Sequence, residues 1–205
     1  MIERITAEVK DENRIEVRMP RHSGKTQVAL NWARKQSKQE AVLFVVSNED
    51  ELEETKEMIY NMFDDIEKEE RNIISFEDGG QILLSTTKKE SVCRTKAIVL
   101  DGVDKMNFSE VINSLARVAS GVDFSFCMTY TKVNPDVKTI LKSMDRAEKV
   151  AKISVDYLDL IESGDMTPEG VRGLISLMGA RKFREEYGPF DKLTCSSIHP
   201  SFTLV

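Results

Sequence analysis

Residues 14–36 constrain the fold more than any other segment, because two different hydrophobic periods meet there across a short loop. The segment "RIEVRM" (14–19) alternates apolar and charged residues, which is typical of a β-strand. The segment "TQVALNWARKQ" (26–36) places its apolar residues at the spacing of one helix face. The sequence therefore predicts a strand, a tight loop and a helix in this order.

Further strands and helices alternate after this unit. Strands are predicted in "AVLFVV" (41–46), on both sides of a turn at Asp78-Gly79-Gly80 within 72–86, and in "KAIVLD", "DFSFCMTYT" and "KVAKISVDY". Helices are predicted over 49–70, with one apolar stripe from Leu52 to Ile66 and an acidic solvated face, and in "FSEVINSLARVA" and "PDVKTILKSM". This alternation predicts an α/β fold with helices on both faces of a mostly parallel sheet.

The strand pattern stops towards the end of the chain. Thr167 and Pro168 predict the start of a helix, as its N-cap and its first helical residue. A second short helix is predicted to follow and to break at Gly188-Pro189. We therefore expect an α/β core over 1–156 and a small helical subdomain with a tail over 157–205.

Composition argues against several classes of protein. The 205-residue chain has a net charge of −6, which is unlike a protein that coats nucleic acid by charge alone. Its longest apolar runs fall short of the roughly 18 residues that a membrane span requires, and its charged N-terminus is unlike a secretory signal. Cys93, Cys127 and Cys195 are far apart and lack a metal-binding spacing, which favours a reducing cytosol.

The loop carries the groups that a triphosphate site requires. Such a site uses backbone N–H groups at a helix N-terminus, a lysine for the β and γ oxygens, and a hydroxyl for magnesium. These groups are supplied, after a strand and before a helix, by Ser23, Gly24, Lys25 and Thr26. Met19 stands where the pattern G-x-x-x-x-G-K-[ST] has its first glycine, so the loop is predicted to be a variant of that pattern.

A second element supports a nucleotide site. In "KAIVLDGVD" a buried strand ends in Asp101, at the sheet edge where such folds bind ligands, and its carboxylate would hold the magnesium shell. Gly102 occupies the position at which ATP-hydrolysing motors usually place a glutamate. Asp104 is the nearest replacement, and Glu110 is a weaker candidate. Slow or absent hydrolysis therefore stays an open outcome.

Together these motifs resemble the ATPase region of tailed-phage large terminase subunits, the motors that pump DNA into proheads. The loop "MPRHSGKTQVALNWA" is similar to terminase loops that begin with an apolar residue, Pro and Arg. The segments "ISFEDGGQILLSTTKKESVCRTKAIVLDGVD", "SFCMTYT" and "FREEYGPF" are similar to the approach to the acidic motif, the coupling motif and the closing helices of that family. The resemblance implies a P-loop NTPase of the ASCE/RecA-like class with a small C-terminal helical subdomain.

The resemblance also implies roles for individual residues. ATP would be bound by the loop residues Pro20, Arg21, His22, Ser23, Gly24, Lys25, Thr26 and Gln27. Catalysis would fall to Arg21, Lys25, Asp101 and Asp104, and magnesium to Thr26 and Asp101. Coupling of hydrolysis to the helical subdomain would use Thr129 and Thr131, unless these are ordinary strand-end residues. Contact with DNA or with a neighbouring subunit would use Lys88, Lys89 and Arg94, unless this basic stretch is a solvated loop.

The same resemblance implies ATP and Mg2+ as cofactors and the cytoplasm of an infected bacterium as the setting. Expected partners are double-stranded DNA, further copies of the chain in a ring on a portal, a terminase small subunit, and a nuclease domain or a separate nuclease. The sequence shows no nuclease domain, which leaves open whether the chain is cut from a longer terminase. Two other functions also stay open: a helicase-like P-loop ATPase, and a nucleotide-binding regulatory module with lost or slow hydrolysis.

Overall fold

The structure is a computed structural model that describes residues 1–9, 12–88, 95–118, 124–144 and 150–188. Within these ranges the strands are β1 Arg14–Arg18, β2 Val42–Val46, β3 Ile66–Glu70, β4 Ile73–Phe76, β5 Gln81–Thr86, β6 Ala97–Leu100, β7 Ser125–Tyr130 and β8 Ala151–Ser154. The α-helices are α1 Ile2–Val9, α2 Lys25–Ser37, α3 Glu49–Met62, α4 Phe108–Ala116, α5 Pro135–Met144, α6 Tyr157–Glu162, α7 Pro168–Met178 and α8 Ala180–Tyr187, and a 3-10 turn covers Val103–Lys105.

The described strands form one sheet in the order β3-β4-β5-β2-β6-β7-β1-β8. The strands from β5 to β8 in this order pair in parallel, whereas β3, β4 and β5 pair antiparallel at one edge. Because parallel strands share one direction, the carboxyl ends of β2, β6, β7 and β1 lie side by side at one edge of the sheet. The mostly parallel α/β fold predicted from the sequence is confirmed.

Hydrophobic cores cover both faces of the sheet. Every residue of β2 is buried, and its side chains alternate between the two cores. Phe44 joins the core that contains Trp32 of α2, while the next residue, Val45, joins the core that contains Val111 of α4. A strand covered on both faces explains why "AVLFVV" is apolar throughout.

The helix predicted over 49–70 is wrong beyond Met62. There α3 ends, Phe63 has an extended backbone, and Ile66–Glu70 form β3. This strand pairs antiparallel with β4, and the ring of Phe63 packs edge-on against Phe76 with 5.8 Å between ring centroids. Hydrogen bonding to a sheet edge and this aromatic contact outweigh the helix-forming tendency of "IEKEE".

The helix α1 was not predicted from the sequence. Its buried residues Ile5 and Val9 join the same core as α2, and Asn31 of α2 donates a 3.3 Å hydrogen bond from Nδ2 to Thr6 Oγ1. In α1 charged residues separate the apolar positions, so its short amphipathic pattern is hard to detect in the sequence. The N-terminal segment thus packs beside the helix that follows the loop.

The helices α6, α7 and α8 enclose a third, smaller core. Its buried residues are Val171, Phe183 and Tyr187. Thr167 caps α7 as predicted, and α8 ends at Tyr187, followed by Gly188 as its C-cap with a φ of 91°. The division into a core over 1–156 and a subdomain over 157–205 stays a prediction.

None of the helices in the described ranges is long and apolar enough to cross a bilayer. The described ranges also contain no group of three or more His, Cys, Asp or Glu side chains arranged to hold a metal ion.

Cys127 is buried with a free thiol, and burial raises its pKa well above the ordinary value of 9.0. Cys93 and Cys195 lie outside the described residues.

Candidate functional site

The loop at residues 19–24 leaves the carboxyl end of β1 and leads directly into α2. Met19 is fully buried. Its N–H donates to the carbonyl of Tyr130 at 3.2 Å, and its carbonyl accepts a 3.0 Å hydrogen bond from Thr131 Oγ1. Met19 replaces the first glycine of the common pattern. It therefore continues β1 into the core and joins the loop to the end of β7.

Two loop residues have left-handed backbone conformations, His22 with a φ of 58° and Gly24 with a φ of 92°. The positive φ at Gly24 favours glycine, and an added Cβ would lie 2.3 Å from Ile2 Cδ1, so the Ile2 side chain would have to shift. Ser23 Oγ donates a 2.6 Å hydrogen bond to the carbonyl of Pro20, which closes the loop on itself. Arg21 and His22 are exposed.

The N-terminus of α2 is open for an anion. No side chain among the described residues caps it, and its first turn contains no acidic residue. Free N–H groups and the positive end of the helix dipole favour a bound phosphate at such a position. Gln27, in the first turn, is partly buried.

Lys25 reaches back across the loop, and its Nζ donates a 2.7 Å hydrogen bond to the carbonyl of Pro20. Burial lowers the pKa of Lys25 to about 8, an effect opposed by the charges of Asp101 and Asp104 and reinforced by Lys105 and Arg21. A phosphate bound beside the ammonium would favour its charged form, because an opposite charge nearby stabilises ionisation.

Asp101 follows β6 and connects the loop to β7. Its Oδ2 accepts a 2.7 Å hydrogen bond from Thr26 Oγ1, and its Oδ1 accepts one from Thr129 Oγ1. The Gly102 N–H donates to Thr129 Oγ1 at 3.0 Å. Burial raises the pKa of Asp101, whereas the hydrogen bonds from Thr129 and Thr26 and the charge of Lys25 oppose this shift. A hydroxyl and a carboxylate in contact are oxygen donors that suit Mg2+ together with phosphate oxygens.

The Asp104 carboxylate binds backbone N–H groups at the same edge of the sheet. Its carboxylate accepts hydrogen bonds from the N–H groups of Thr131 at 3.2 Å and Lys132 at 3.3 Å. Its backbone carbonyl accepts a 3.1 Å hydrogen bond from Asn134 Nδ2. These contacts fix the chain where it leaves β7. The weaker candidate, Glu110, belongs to the capping box of α4 through the Asn107 N–H at 2.8 Å.

The structure brings together most of the predicted site residues, but Lys88 is not among them. Lys88 is exposed and follows β5, which β2, β6 and β7 separate from β1. Lys89 and Arg94 lie outside the described residues. The suggested roles of these three residues stay predictions.

Sequence reasoning missed Glu51 and Lys105, whose side chains form an ion pair across this edge. Glu51 was assigned to a solvated acidic face, but it is partly buried and accepts hydrogen bonds from the N–H of Ser47 at 3.2 Å and from its Oγ at 2.7 Å. A serine at a strand end followed four residues later by a glutamate was the available signal.

A contact between the sheet and the helical region was also missed. Lys132 Nζ donates a 3.2 Å hydrogen bond to Oε1 of Glu186, which is buried on α8. Burial raises the pKa of the neighbouring Tyr187, an effect that Glu186 reinforces and the charge of Arg21 opposes. The contact between Lys132 and Glu186 therefore joins the segment after β7 to α8.

Residues 1–117 match the family described as "Type III restriction enzyme, res subunit", which is more than half of the 205 residues. The chain belongs to this family. A search of curated proteins finds no match.

Solved structures show the fold of this res-subunit family member. The large terminase of a thermophilic bacteriophage is 13% identical, with a TM-score of 0.70 over 91% of this chain and 52% of that chain, and the same terminase has been solved in complex with ATP-gamma-S. The large terminase ATPase domain of Thermus phage P74-26 is 12% identical, with a TM-score of 0.64 over 89% of this chain and 91% of that chain. The helicase domain of Pyrococcus furiosus Hef is 15% identical, with a TM-score of 0.54 over 75% of this chain and 38% of that chain.

These likenesses establish the fold for the family member described here. It has the P-loop ATPase fold that the large terminases and the Hef helicase share. The resemblance to terminase ATPase domains inferred from the sequence motifs is confirmed at the level of the fold. The chain spans about half the length of the thermophilic bacteriophage terminase.

Proposed function

We propose that this chain binds ATP with Mg2+ at the edge formed by the loop, β6 and β7, and that it hydrolyses the nucleotide. The observation that carries this proposal is the 2.7 Å hydrogen bond between Thr26 Oγ1 and Asp101 Oδ2. It places the hydroxyl at the start of α2 against the carboxylate at the end of β6. The complexes of the thermophilic bacteriophage terminase with ATP-gamma-S and with ADP support a nucleotide as the ligand.

Each group of the loop has a role in this proposal. The α2 N–H groups and Lys25 bind the β and γ phosphates, and Pro20 to Gln27 line the nucleotide. Arg21, exposed beside the loop, stabilises charge on the γ-phosphate. Thr26 and Asp101 hold Mg2+, which when bound neutralises phosphate charge. Hydrolysis is slow if no carboxylate replaces the glutamate that is missing at Gly102.

We further propose that hydrolysis drives double-stranded DNA into a prohead in the cytoplasm of an infected bacterium. In this proposal, copies of the chain form a ring on a portal and act with a terminase small subunit and a nuclease. Likeness to the terminase ATPase domains supports it. The route from the site to the helical region runs from Thr129 and Thr131 to Lys132 and its 3.2 Å contact with Glu186. Lys88, Lys89 and Arg94 remain the proposed contacts to DNA or to a neighbouring subunit.

A helicase-like ATPase is the second candidate function. The res-subunit family match over 1–117 and the likeness to the Hef helicase domain favour it. A regulatory module that binds nucleotide without hydrolysis is the third, and the absence of a side chain at Gly102 favours it. These candidates share the nucleotide site and differ in the events after nucleotide binding.

The proposal is tested by measuring ATP hydrolysis with linear double-stranded DNA, with single-stranded DNA and without DNA. We expect hydrolysis that double-stranded DNA accelerates and that Lys25→Ala abolishes. The matched control is Lys38→Ala, because Lys38 is exposed at the other end of α2. Acceleration mainly by single-stranded DNA would favour the helicase-like function, and binding without hydrolysis would favour the regulatory module. Hydrolysis that survives Lys25→Ala would overturn the site.

A further inference from the structure

At Gly102, the position where ATP-hydrolysing motors usually have a glutamate, the side chain of Lys105 lies beside the backbone. Gly102 follows Asp101 and has a φ of 73°. A Cβ added to Gly102 would meet Lys105 Cδ at 3.5 Å, with the neighbouring carbons of the same side chain next in distance. The stem of Lys105 therefore lies in van der Waals contact with the point from which a side chain after Asp101 would project.

Lys105 ends at a carboxylate from the first turn of α3, the helix that follows β2. Its Nζ donates to Glu51 Oε1, across 54 positions of sequence. Glu51 Oε2 is fixed by the N–H and Oγ of Ser47, at 3.2 and 2.7 Å. Ser47 directly follows β2, the strand that pairs in parallel with β6. The carboxylate is thus held at the same sheet edge as Asp101, one strand away.

We propose that Glu51 is the catalytic carboxylate of this site, held in place by Ser47 and Lys105. The inference rests on the ATP hydrolysis proposed above. In this step the water oxygen forms a bond to the γ-phosphorus, and the bond from that phosphorus to the β,γ-bridging oxygen breaks. The Glu51 carboxylate accepts the proton of the water and then releases it to solvent, so the products are ADP and phosphate.

The electrostatics agree with this role. The negative charge of Glu51 is felt at Asp101, where it adds to the effect of burial in raising the pKa of that carboxyl. Burial alone would raise the pKa of Glu51, but hydrogen bonds from Lys105 and Ser47 outweigh it and lower the pKa. Glu51 is therefore ionised at neutral pH, which is the form that can accept a proton.

The other carboxylates near the site are committed to the backbone. Asp104 accepts hydrogen bonds from the N–H groups of Thr131 and Lys132, and Glu110 closes the capping box of α4. Glu51 also supports the start of α3 through Ser47, but its second oxygen faces Lys105 in the loop after Asp101.

The test uses Glu51→Gln, which keeps the size of the side chain and one acceptor oxygen. Single-turnover ATP hydrolysis and the Kd for ATP-gamma-S are measured on the full chain. We expect hydrolysis to fall about 100-fold or more, as for loss of a general base, with the Kd changed less than about 3-fold. The control Glu54→Gln removes the same charge from an exposed position on α3 and leaves both values unchanged.

A structural role would give a different result. Hydrolysis at the wild-type rate in Glu51→Gln, while Lys25→Ala is inactive, would overturn the role of Glu51 and leave the proposed function intact. A wild-type chain that neither binds nor hydrolyses ATP would instead overturn the proposed function. Should Glu51→Gln fold poorly by its thermal midpoint, Glu51→Asp is measured: it keeps the charge but withdraws the carboxylate by one methylene. Slower hydrolysis with unchanged Kd supports the proposal, and unchanged hydrolysis contradicts it.

Discussion

Thr26 Oγ1 donates a 2.7 Å hydrogen bond to Asp101 Oδ2, which joins residues 75 positions apart in the sequence. The contact is possible because β1 and β6 run in the same direction and flank β7. Their carboxyl ends therefore deliver a hydroxyl and a carboxylate to one point. This is the arrangement that a magnesium-nucleotide site needs.

Thr129→Val tests how the Asp101 carboxylate is held. The substitution removes the hydroxyl that donates to Asp101 and accepts from the Gly102 N–H. We expect a loss of about 1–3 kcal/mol in the free energy of unfolding, because buried polar groups lose their partners. Urea unfolding at neutral pH measures it. Thr139→Val, on an exposed part of α5, should change stability by less than about 0.5 kcal/mol, and equal losses in both variants would contradict the account.

Asp104→Asn separates a structural carboxylate from a catalytic one. An asparagine can accept from only one of the two N–H groups that Asp104 binds, at Thr131 and Lys132. We expect a stability loss of about 1–2 kcal/mol and hydrolysis per folded molecule within about 5-fold of wild type. A fall of roughly 100-fold, the size expected for a lost general base, with unchanged stability would show that Asp104 is the catalytic group instead.

Local periodicity was sufficient to predict most of the fold. The alternating "RIEVRM", the uniformly apolar "AVLFVV" and the helix after the loop are confirmed as β1, β2 and α2. The segment "IEKEE" was assigned to a helix because its residues favour one, and only its pairing with β4 makes it a strand. A contact between distant segments cannot be recovered from the preferences of either one.

The same limit applies to the candidate site. The loop and Asp101 follow recognisable residue patterns at the carboxyl ends of strands predicted to be parallel, so their meeting at one edge could be predicted. The spacing of Ser47 and Glu51 hints at a local contact, but the contact of Glu51 with Lys105, which places it at this edge, joins residues 54 positions apart and follows no sequence pattern. From the sequence alone Glu51 was one of several acidic residues on an amphipathic helix.

Arg34→Met tests the contact between α2 and the antiparallel edge. The Arg34 guanidinium is buried, pairs with Asp65 and with Asp78 at 2.9 Å, and lies 4.1 Å from the centroid of the Phe76 ring. Methionine keeps the apolar stem, so we expect a loss of about 2 kcal/mol, limited because both carboxylates are partly exposed. Chemical unfolding should show almost no change for Arg181→Met, whose exposed side chain pairs with Glu185. No loss in Arg34→Met would argue that the ion pairs are not formed.

Stability should depend on the ionisation of Glu51. Its pKa in the folded chain is lowered from the ordinary value of 4.5, because hydrogen bonds from Lys105 and Ser47 outweigh the effect of burial. A lowered folded pKa means that ionised Glu51 stabilises the fold above pH 4.5 and that this contribution is lost as the pH falls further. The stability difference between wild type and Glu51→Gln should therefore shrink in urea titrations run from neutral pH towards acid. A difference that is constant with pH, or one matched by Glu54→Gln, would contradict this.

Calorimetric titration with ATP-gamma-S in the presence of Mg2+ tests the central claim most directly, because it asks only whether the loop and Asp101 form a triphosphate site. We predict one nucleotide bound per wild-type chain and an affinity at least about 10-fold weaker in Lys25→Ala, which loses a charged hydrogen-bond donor to the phosphates. Lys38→Ala should bind as the wild type does. Failure of the wild-type chain to bind, or equal binding by Lys25→Ala, would contradict the account.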